Sequence, residues 1–394
     1  MLRVLTISTL FPNAARPTFG VFVEQQTRAL AARQGVEVRV VNPIGRPPFP
    51  LDLHPHYRPL RNLPAEESWK GVRVARPRML TIPGLSGRFN PALLARAARP
   101  VIARWRDEGF AFDVIDAQFF YPDGPAAERL AAEFGVPLLV KARGADIHYW
   151  GARPGCRKGI MRAAARAGRL LAVSQSLARD MAGMGMDAAK IAVHYTGCDL
   201  ERFRPGDRAA AKRNLGVTGP LVVSLGSLIP RKGHELVIEA MAEVEGATLL
   251  VVGEGPERDR LERLVRQRGL EERVRLLGNR PHAELPGILG AADVMALASK
   301  SEGLANAWVE ALACGTPVVT PDVDGAAEAI DRPAAGRLLR ERTPTAIAAA
   351  IRDVLADPPP QAAVRESAER FSWERNGRQL HEHLSHLAAT APAR

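Results

Sequence analysis

Short apolar, β-branched runs alternate with amphipathic stretches along most of this 394-residue chain. RVLTIST, VEVRVVNP, VRVARPRM, DVIDAQ and PLLVKARG read as strands in the first half, followed by LLAVSQS and KIAVHYTG. PLVVSLGS, ATLLVVGEG, RVRLLGNR, DVMALAS and TPVVTPD do so in the second. Between them, GVFVEQQTRALAARQ, DGPAAERLAAEFG, HELVIEAMAEV, ERDRLERLVRQRG and AELPGILGAA have helix length and helical spacing of apolar positions. Strand–helix alternation on this scale predicts parallel sheets covered by helices on both faces. The pattern restarts after about residue 200, near the turn-rich and charged HYTGCDLERFRPGDR, so two similar α/β domains fit better than one long sheet. The tail SWERNGRQLHEHLSHLAA reads as a closing helix with Trp373, Leu380, Leu384 and Leu387 on one side. Residues 43–64 are dense in proline and predict an irregular loop.

Composition fits this picture. At roughly 100–200 residues per domain, the length suggests two or three domains. A hydrophobic fraction of 46% and a charged fraction of 25% suffice for a buried core in each. Apolar runs such as GATLLVVG fall short of the about 20 residues of a membrane helix, and the start, MLRVLTISTLF, reads as a first strand rather than a leader. Cys156, Cys198 and Cys314 are odd in number and far apart, which argues against a disulfide frame or zinc site and for a reducing cytosol.

Charge changes the picture more. Residues 1–197 hold 28 Lys and Arg against 15 Asp and Glu, whereas the remainder is nearly balanced at 26 against 28. A basic half suits nucleic acid, an anionic membrane or a phosphorylated substrate, or is simply an arginine-rich solvated surface. Nucleic acid is disfavoured: zinc-finger, RRM and KH signatures are missing and aromatic residues make up only 5%.

Candidate chemistry lies mostly in the second half. VVSLGSLIPRKGHELVIEAM is a strand, a glycine turn and a helix, which places Gly226, Ser227, Lys232 and Gly233 at the carboxyl end of a strand, where open α/β sheets bind ligands. Backbone amides in such a turn approach phosphate, and Lys232 adds a positive charge. The order is not that of a Walker loop. Gly253 and Gly255 in VVGEGPE resemble half of a dinucleotide fingerprint, but a tight turn explains them equally well. In SEGLANAWVEALACGTP, Glu302 and Glu310 are separated by seven uncharged residues. DVMALAS predicts a strand and NAWVEALACG a helix that Gly315 stops. Glu302 then sits in the strand-end loop and Glu310 about one turn into the helix. Either the two are a capping acid and a solvated one, or both face a ligand beside a phosphate-friendly helix N-terminus, where a carboxylate accepts hydrogen bonds from a sugar diol.

EGLANAWVE, ALACGTPVV, GSLIPRKG and ADVMALAS together resemble retaining glycosyltransferases of family 4. VSQSLARDMAGMGMDAAKIAVHYTGCDLERFRP and RFSWERNGRQL extend the resemblance over nearly the whole chain. FPNAARPTFGVFVEQQTRAL and FYPDGPAAERLAAEFGVPLLVKARGADI resemble the branch that builds exopolysaccharides, lipopolysaccharides or other cell-surface glycans. The resemblance implies an α/β GT-B fold, with two Rossmann-like parallel-sheet domains facing across a cleft. Residues 1–195 would bind the acceptor, 196–372 the nucleotide-sugar donor, and 373–394 would form a helix packing back on the first domain.

By the same resemblance, Glu310 would bind the ribose hydroxyls, Glu302 the donor sugar and Lys232 the diphosphate. Gly226, Ser227, Arg231 and the amides of Gly303, Leu304 and Ala305 would assist, and Asn279 and Arg280 would lie near the base. Neither a metal nor another cofactor is implied, because cations and a helix N-terminus stabilise the departing diphosphate. The chain departs from the family in two places. Ser227 stands where the family commonly has arginine, and Arg143 where it often has histidine near the transferred sugar. Arg143 is nonetheless a candidate catalytic group, and Gly20, Asp123 and Asp146 are candidates on the acceptor side.

The expected activity is retaining, hexosyltransferase-type transfer from a UDP- or GDP-sugar to a glycan or lipid-linked acceptor in cell-surface polysaccharide biosynthesis. Expected localisation is cytoplasmic and peripheral on the inner face of the membrane. The alternatives are a non-catalytic nucleotide-sugar-binding subunit, and a sugar epimerase or phosphorylase of the same fold.

Overall fold

The computed structural model describes residues 1–82 and 87–390. These fall into two units, one of Met1–Gly197 with the segment from Trp373 onward, the other of Cys198–Ser372.

The first unit holds β1 (Leu2–Ile7), β2 (Val36–Val41), β3 (Ile44–Arg46), β4 (Glu66–Trp69), β5 (Val72–Ala75), β6 (Arg78–Leu80), β7 (Val114–Ala117), β8 (Leu138–Ala142), β9 (Arg169–Ala172) and β10 (Ile191–Val193). Eight of them form one sheet in the order β10-β9-β8-β7-β1-β2-β5-β4. Val4, Val114, Val140 and Leu171 are fully buried, as expected for strands covered on both faces. Pairing is parallel except at the edge, where β4 runs antiparallel to β5. The expected irregular loop over 43–64 needs correction. It contains β3, which pairs in parallel with β6, and two 3₁₀ turns, Leu51–Leu53 and Arg58–Asn62. Pro47 and Pro48 follow β3 directly, so the strand stops after three residues.

The helix Trp373–Thr390 covers one face of this sheet. Leu380, Leu384 and Leu387 are buried with Val4, Leu30, Val114, Leu139 and Leu171. Gly197 lies so close to the Trp373 ring that a Cβ there would sit 2.4 Å from it.

The second unit holds β11 (Leu221–Leu225), β12 (Thr248–Val252), β13 (Val274–Gly278), β14 (Val294–Ala296), β15 (Val318–Pro321) and β16 (Gly336–Leu339). They pair in parallel in the order β13-β12-β11-β14-β15-β16. This is the doubly wound 3-2-1-4-5-6 arrangement, whose strand order reverses between β11 and β14 and opens a crevice beyond their carboxyl ends. Several helices lack a counterpart among the predicted elements. One is Pro344–Ala356, which starts with Thr343 accepting a hydrogen bond from the Ala346 N–H at 3.2 Å and buries Ile347, Ile351 and Val354.

Candidate functional site

The crevice of the second unit is built by the loops after β11 and β14. The loop after β11 carries Gly226, Ser227, Arg231 and Lys232 and leads into the helix His234–Ala240. The loop after β14 carries Ser299, Glu302, Gly303, Leu304 and Ala305 and leads into the helix Asn306–Ala313. The backbone joins them, Lys300 N–H donating to the Arg231 carbonyl at 2.8 Å.

The side chains meet as well. Glu302 Oε1 accepts from Lys232 Nζ at 2.5 Å and from Ser299 Oγ at 2.9 Å. Arg231 Nη1 lies 3.2 Å from the same oxygen and also donates to the Ser301 carbonyl. The Glu302 backbone is fixed by Asp324, whose Oδ2 accepts from the Glu302 N–H at 2.9 Å. Two cations and a carboxylate therefore share one point at the strand-order reversal. Among the described residues, the amides of Gly303, Leu304 and Ala305 have no hydrogen-bond acceptor, and they precede the N-terminus of the helix that carries Glu310.

Beneath the first loop, Gly253 explains the VVGEGPE signal. Its φ is 146°, and a Cβ on it would lie 1.9 Å from the Gly226 carbonyl oxygen. The glycine lets one binding-edge loop rest on another, and this contact needs no dinucleotide. His234 is buried under the same loop. Its Nδ1 lies 2.9 Å from Ser224 Oγ, and its Nε2 faces Gly226 and Ser227 without closing a hydrogen bond. Burial pushes the imidazole pKa down to about 4, with Lys232 adding to the effect. His234 is thus neutral near pH 7.

Glu310 stands one turn into its helix, and its Oε1 lies 3.0 Å from His282 Nε2. Asn279 and Arg280 follow β13 and are exposed, with Arg280 Nη1 3.8 Å from Glu284. Ser227 is exposed on its loop. The second unit therefore brings Lys232, Arg231 and Glu302 together and places Glu310 apart from them, against His282. Sequence reasoning missed Ser299, His282, His234 and Asp324. All except His234 lie in loops at carboxyl ends of strands, and that position was the available signal.

In the first unit, Arg143, Asp123, Asp146 and Gly20 also gather at the carboxyl ends of strands. Asp123 follows β7 and accepts from the Thr9 N–H, beyond β1, at 3.0 Å. Its other oxygen is buried without a partner, and burial raises its pKa to about 7. Asp146 accepts from the backbone N–H groups of Phe120 at 2.8 Å and Arg143 at 3.0 Å. The Arg143 guanidinium does not stand free. Its Nε donates to the Gln118 carbonyl at 2.8 Å, its Nη2 donates to Gln118 Oε1 at 2.6 Å, and it stacks 4.6 Å from the Phe22 ring centroid. Gly20 precedes the helix Val21–Ala31 with φ 73°, and a Cβ there would meet the Leu10 carbonyl carbon at 2.5 Å, so chain packing accounts for this glycine.

Deeper still, Lys141 is fully buried and donates to Gln26 Oε1 at 2.7 Å, with His194 Nδ1 at 2.8 Å. Burial holds its pKa well below the usual lysine value. Among the described residues, no group of three or more His, Cys, Asp or Glu side chains is arranged to hold a metal ion.

Comparison with known proteins bears on both units. Residues 207–371 match the model for glycosyl transferases group 1, and residues 20–202 match that for Glycosyltransferase Family 4. A Bacillus subtilis protein named as a teichuronic acid biosynthesis glycosyltransferase, TuaC, is 29% identical over 335 residues, covering 82% of each chain. A D-inositol 3-phosphate glycosyltransferase of Segniliparus rotundus is 37% identical over 202 residues, covering 48% of this chain and 45% of that protein. Among solved structures, a sucrose-phosphate synthase of Thermosynechococcus elongatus superposes with a TM-score of 0.80 at 23% identity, covering 99% of this chain and 100% of that one. Anabaena HepE in complex with UDP-glucose superposes with a TM-score of 0.73 at 20% identity, covering 98% and 100%.

Proposed function

The chain belongs to glycosyltransferase family 4, with the GT-B fold, and from that premise we propose that it is a retaining, metal-independent transferase that moves a hexose from a UDP- or GDP-sugar to a cell-surface glycan or its lipid-linked precursor. One observation carries the donor half of the reading. Lys232, Arg231 and Glu302 converge at the reversal of strand order, beside unpaired amides and a helix N-terminus. A diphosphate suits the cations and the amides, and a sugar hydroxyl suits the carboxylate. The HepE complexes with UDP and UDP-glucose support a nucleotide-sugar donor by fold analogy.

Breaking the anomeric bond develops positive charge on the sugar and negative charge on the departing diphosphate. Lys232, Arg231 and the Gly303–Ala305 amides answer the second charge, a role that needs no metal ion. Once they turn to the diphosphate, Glu302 is freed to accept from the donor sugar. In this reading Glu302 accepts from a hydroxyl of the donor sugar rather than attacking its anomeric carbon. This favours same-face transfer, in which the leaving phosphate takes the acceptor proton. A trapped glycosyl–enzyme adduct would overturn that step.

The donor reading is tested by thermal shift with UDP-, GDP-, ADP- and dTDP-sugars, because a bound ligand raises apparent stability by mass action. The parent responds to at least one of them. Glu310→Ala, which loses the carboxylate assigned to the ribose, binds it about 10-fold or more weakly, as expected for lost charged hydrogen bonds. A full shift in that variant overturns the assignment.

The first unit is proposed as the acceptor side, docking on the inner face of the cytoplasmic membrane. Its surface exposes Phe49 by 78%, together with Leu51, Leu53, Leu80, Phe89 and Tyr149. Arg58, Arg88 and Arg153 are exposed on the same segments. Apolar tips among arginines fit an anionic bilayer, each basic residue contributing about 1 kcal/mol near the surface. Among the described residues no helix is long and apolar enough to cross a membrane. The chain is expected to float with phosphatidylglycerol vesicles in low salt and to release as salt screens the charges. Failure to float at low ionic strength overturns the membrane reading.

A further inference from the structure

Glu310 is not a solitary carboxylate. Its side chain is 14% exposed, and Oε1 lies 3.0 Å from Nε2 of His282, a residue 28 positions earlier in the chain. Among the described residues this is the sole hydrogen-bond partner of the carboxylate. The oxygen of a carboxylate accepts, so the imidazole carries its proton on Nε2.

The imidazole is itself held. Phe203 meets it edge-on, with ring centroids 5.2 Å apart. The Phe203 carbonyl accepts from Arg365 Nη1 at 2.9 Å, and the same nitrogen reaches the Ala313 carbonyl, in the last turn of the Glu310 helix, at 2.8 Å. Arg365 thus ties the segment that backs His282 to the helix that carries Glu310. Cys198 and Cys314 also lie near this carboxylate. Burial pushes both thiols up, and the negative charge of Glu310 pushes them further, so both stay neutral and put no second negative charge beside the carboxylate.

Resting on the reading that Glu310 takes the ribose hydroxyls, we infer that His282 is a positioning residue for nucleotide recognition: it anchors Glu310 Oε1 so that the carboxylate meets both hydroxyls of a 2′,3′-diol together. A glutamate has three side-chain torsions, and fixing them on binding costs conformational entropy. His282 fixes them before the ligand arrives, so less of the binding free energy is lost to ordering. A diol gains most from this, because both hydroxyls need the carboxylate in one orientation. A 2′-deoxyribose offers one hydroxyl, which a mobile carboxylate follows almost as well. His282 therefore sets the preference for ribonucleotides over 2′-deoxyribonucleotides.

Isothermal titration with UDP, GDP and ADP and with their 2′-deoxy counterparts tests this. The parent binds its preferred ribonucleoside diphosphate about 10- to 100-fold tighter than the deoxy form, as expected for loss of one charged hydrogen bond. In His282→Phe, which keeps a ring against Phe203 but has no donor, the ratio falls to within about 2-fold, and His282→Gln, which restores an N–H donor, recovers part of it. A role limited to packing would leave the ratio unchanged in the phenylalanine variant. Glu310→Ala in the same titration separates the two levels. If it loses the ratio while His282→Phe keeps it, the role of His282 is overturned and the ribose reading stands. If Glu310→Ala keeps the ratio, or the parent shows none, both fall.

Discussion

Lys232→Met lowers the rate of nucleotide release from the sugar donor by about 10²- to 10³-fold, the range found when one preorganised donor to a developing anion is removed. The size of the effect follows from position. Lys232 sits at the end of the loop after β11, at the reversal of strand order, and its ammonium is 2.5 Å from Glu302 in the ligand-free chain. That pairing keeps both groups desolvated and oriented before the donor binds. Arg231 does not replace the lysine, because its side chain is 45% exposed against 15% for Lys232, so solvent screens its charge more. By the resemblance to the family, Ser227 stands where an arginine is common. On the proposed donor reading, Ser227 adds no charge, so Lys232 carries more of the diphosphate charge than it would with an arginine beside it. Ser299 and Arg231 still contact Glu302 in the variant, so unliganded stability drops by no more than about 1–2 kcal/mol. Lys232→Arg, which keeps the charge, retains more activity than Lys232→Met. A methionine variant turning over within about 10-fold of the parent would place the charge stabilisation elsewhere.

How much of this was legible in the sequence differs between the two units. In the second, every strand except β16 announced itself as a β-branched run, and the glycine turn and the E-x7-E stretch both fell at carboxyl ends of strands. The pairing of Lys232 with Glu302 was not legible, because 70 residues separate them and only the β11–β14 neighbourhood joins them. His282 was hidden for the same reason: it follows β13 and its partner follows β14, with β12 and β11 between those two strands in the sheet. In the first unit, the prolines of residues 43–64 hid β3 and two 3₁₀ turns, and the helix Asn90–Asp107 had no counterpart among the predicted elements. Pro91 and Pro100 resemble breakers, yet Asn90–Asp107 is one helix, with Pro91 in its first turn, where an N–H is dispensable. Pro100 forfeits a hydrogen bond, and burial of Leu94, Ala98, Ile102 and Trp105 offsets it. Arg143 shows a further limit. The resemblance makes it a candidate catalytic group, whereas its position beside Gln118 and over Phe22 gives it partners within its own unit. Single-residue chemistry was readable, but long-range satisfaction of that chemistry was not.

Gly253→Ala lowers the melting temperature of the second unit by about 6–12 °C. Two separate terms make up the loss. At φ 146° any side chain strains the backbone, which costs about 1–3 kcal/mol. The new methyl carbon would also stand 1.9 Å from the Gly226 carbonyl oxygen, so one of the two loops must move. A combined loss of about 3 kcal/mol gives that range of melting shift for a unit of this size. The direction of the forced movement matters more than the stability loss. Gly226 is held by its N–H donating to the Val252 carbonyl at 3.0 Å, and Leu228 by its N–H donating to the Glu254 carbonyl at 2.9 Å. Both bonds come from the segment around Gly253, so displacing it shifts the loop that ends in Lys232. Nucleotide-sugar binding should therefore weaken in Gly253→Ala at temperatures where the variant is fully folded, although residue 253 lies on the structural side of the loop. Far-UV circular dichroism fixes the folded range, and calorimetric titration within it measures the affinity. If the variant melts low yet binds donor as the parent does, Gly253 serves stability alone and the two loops are not coupled.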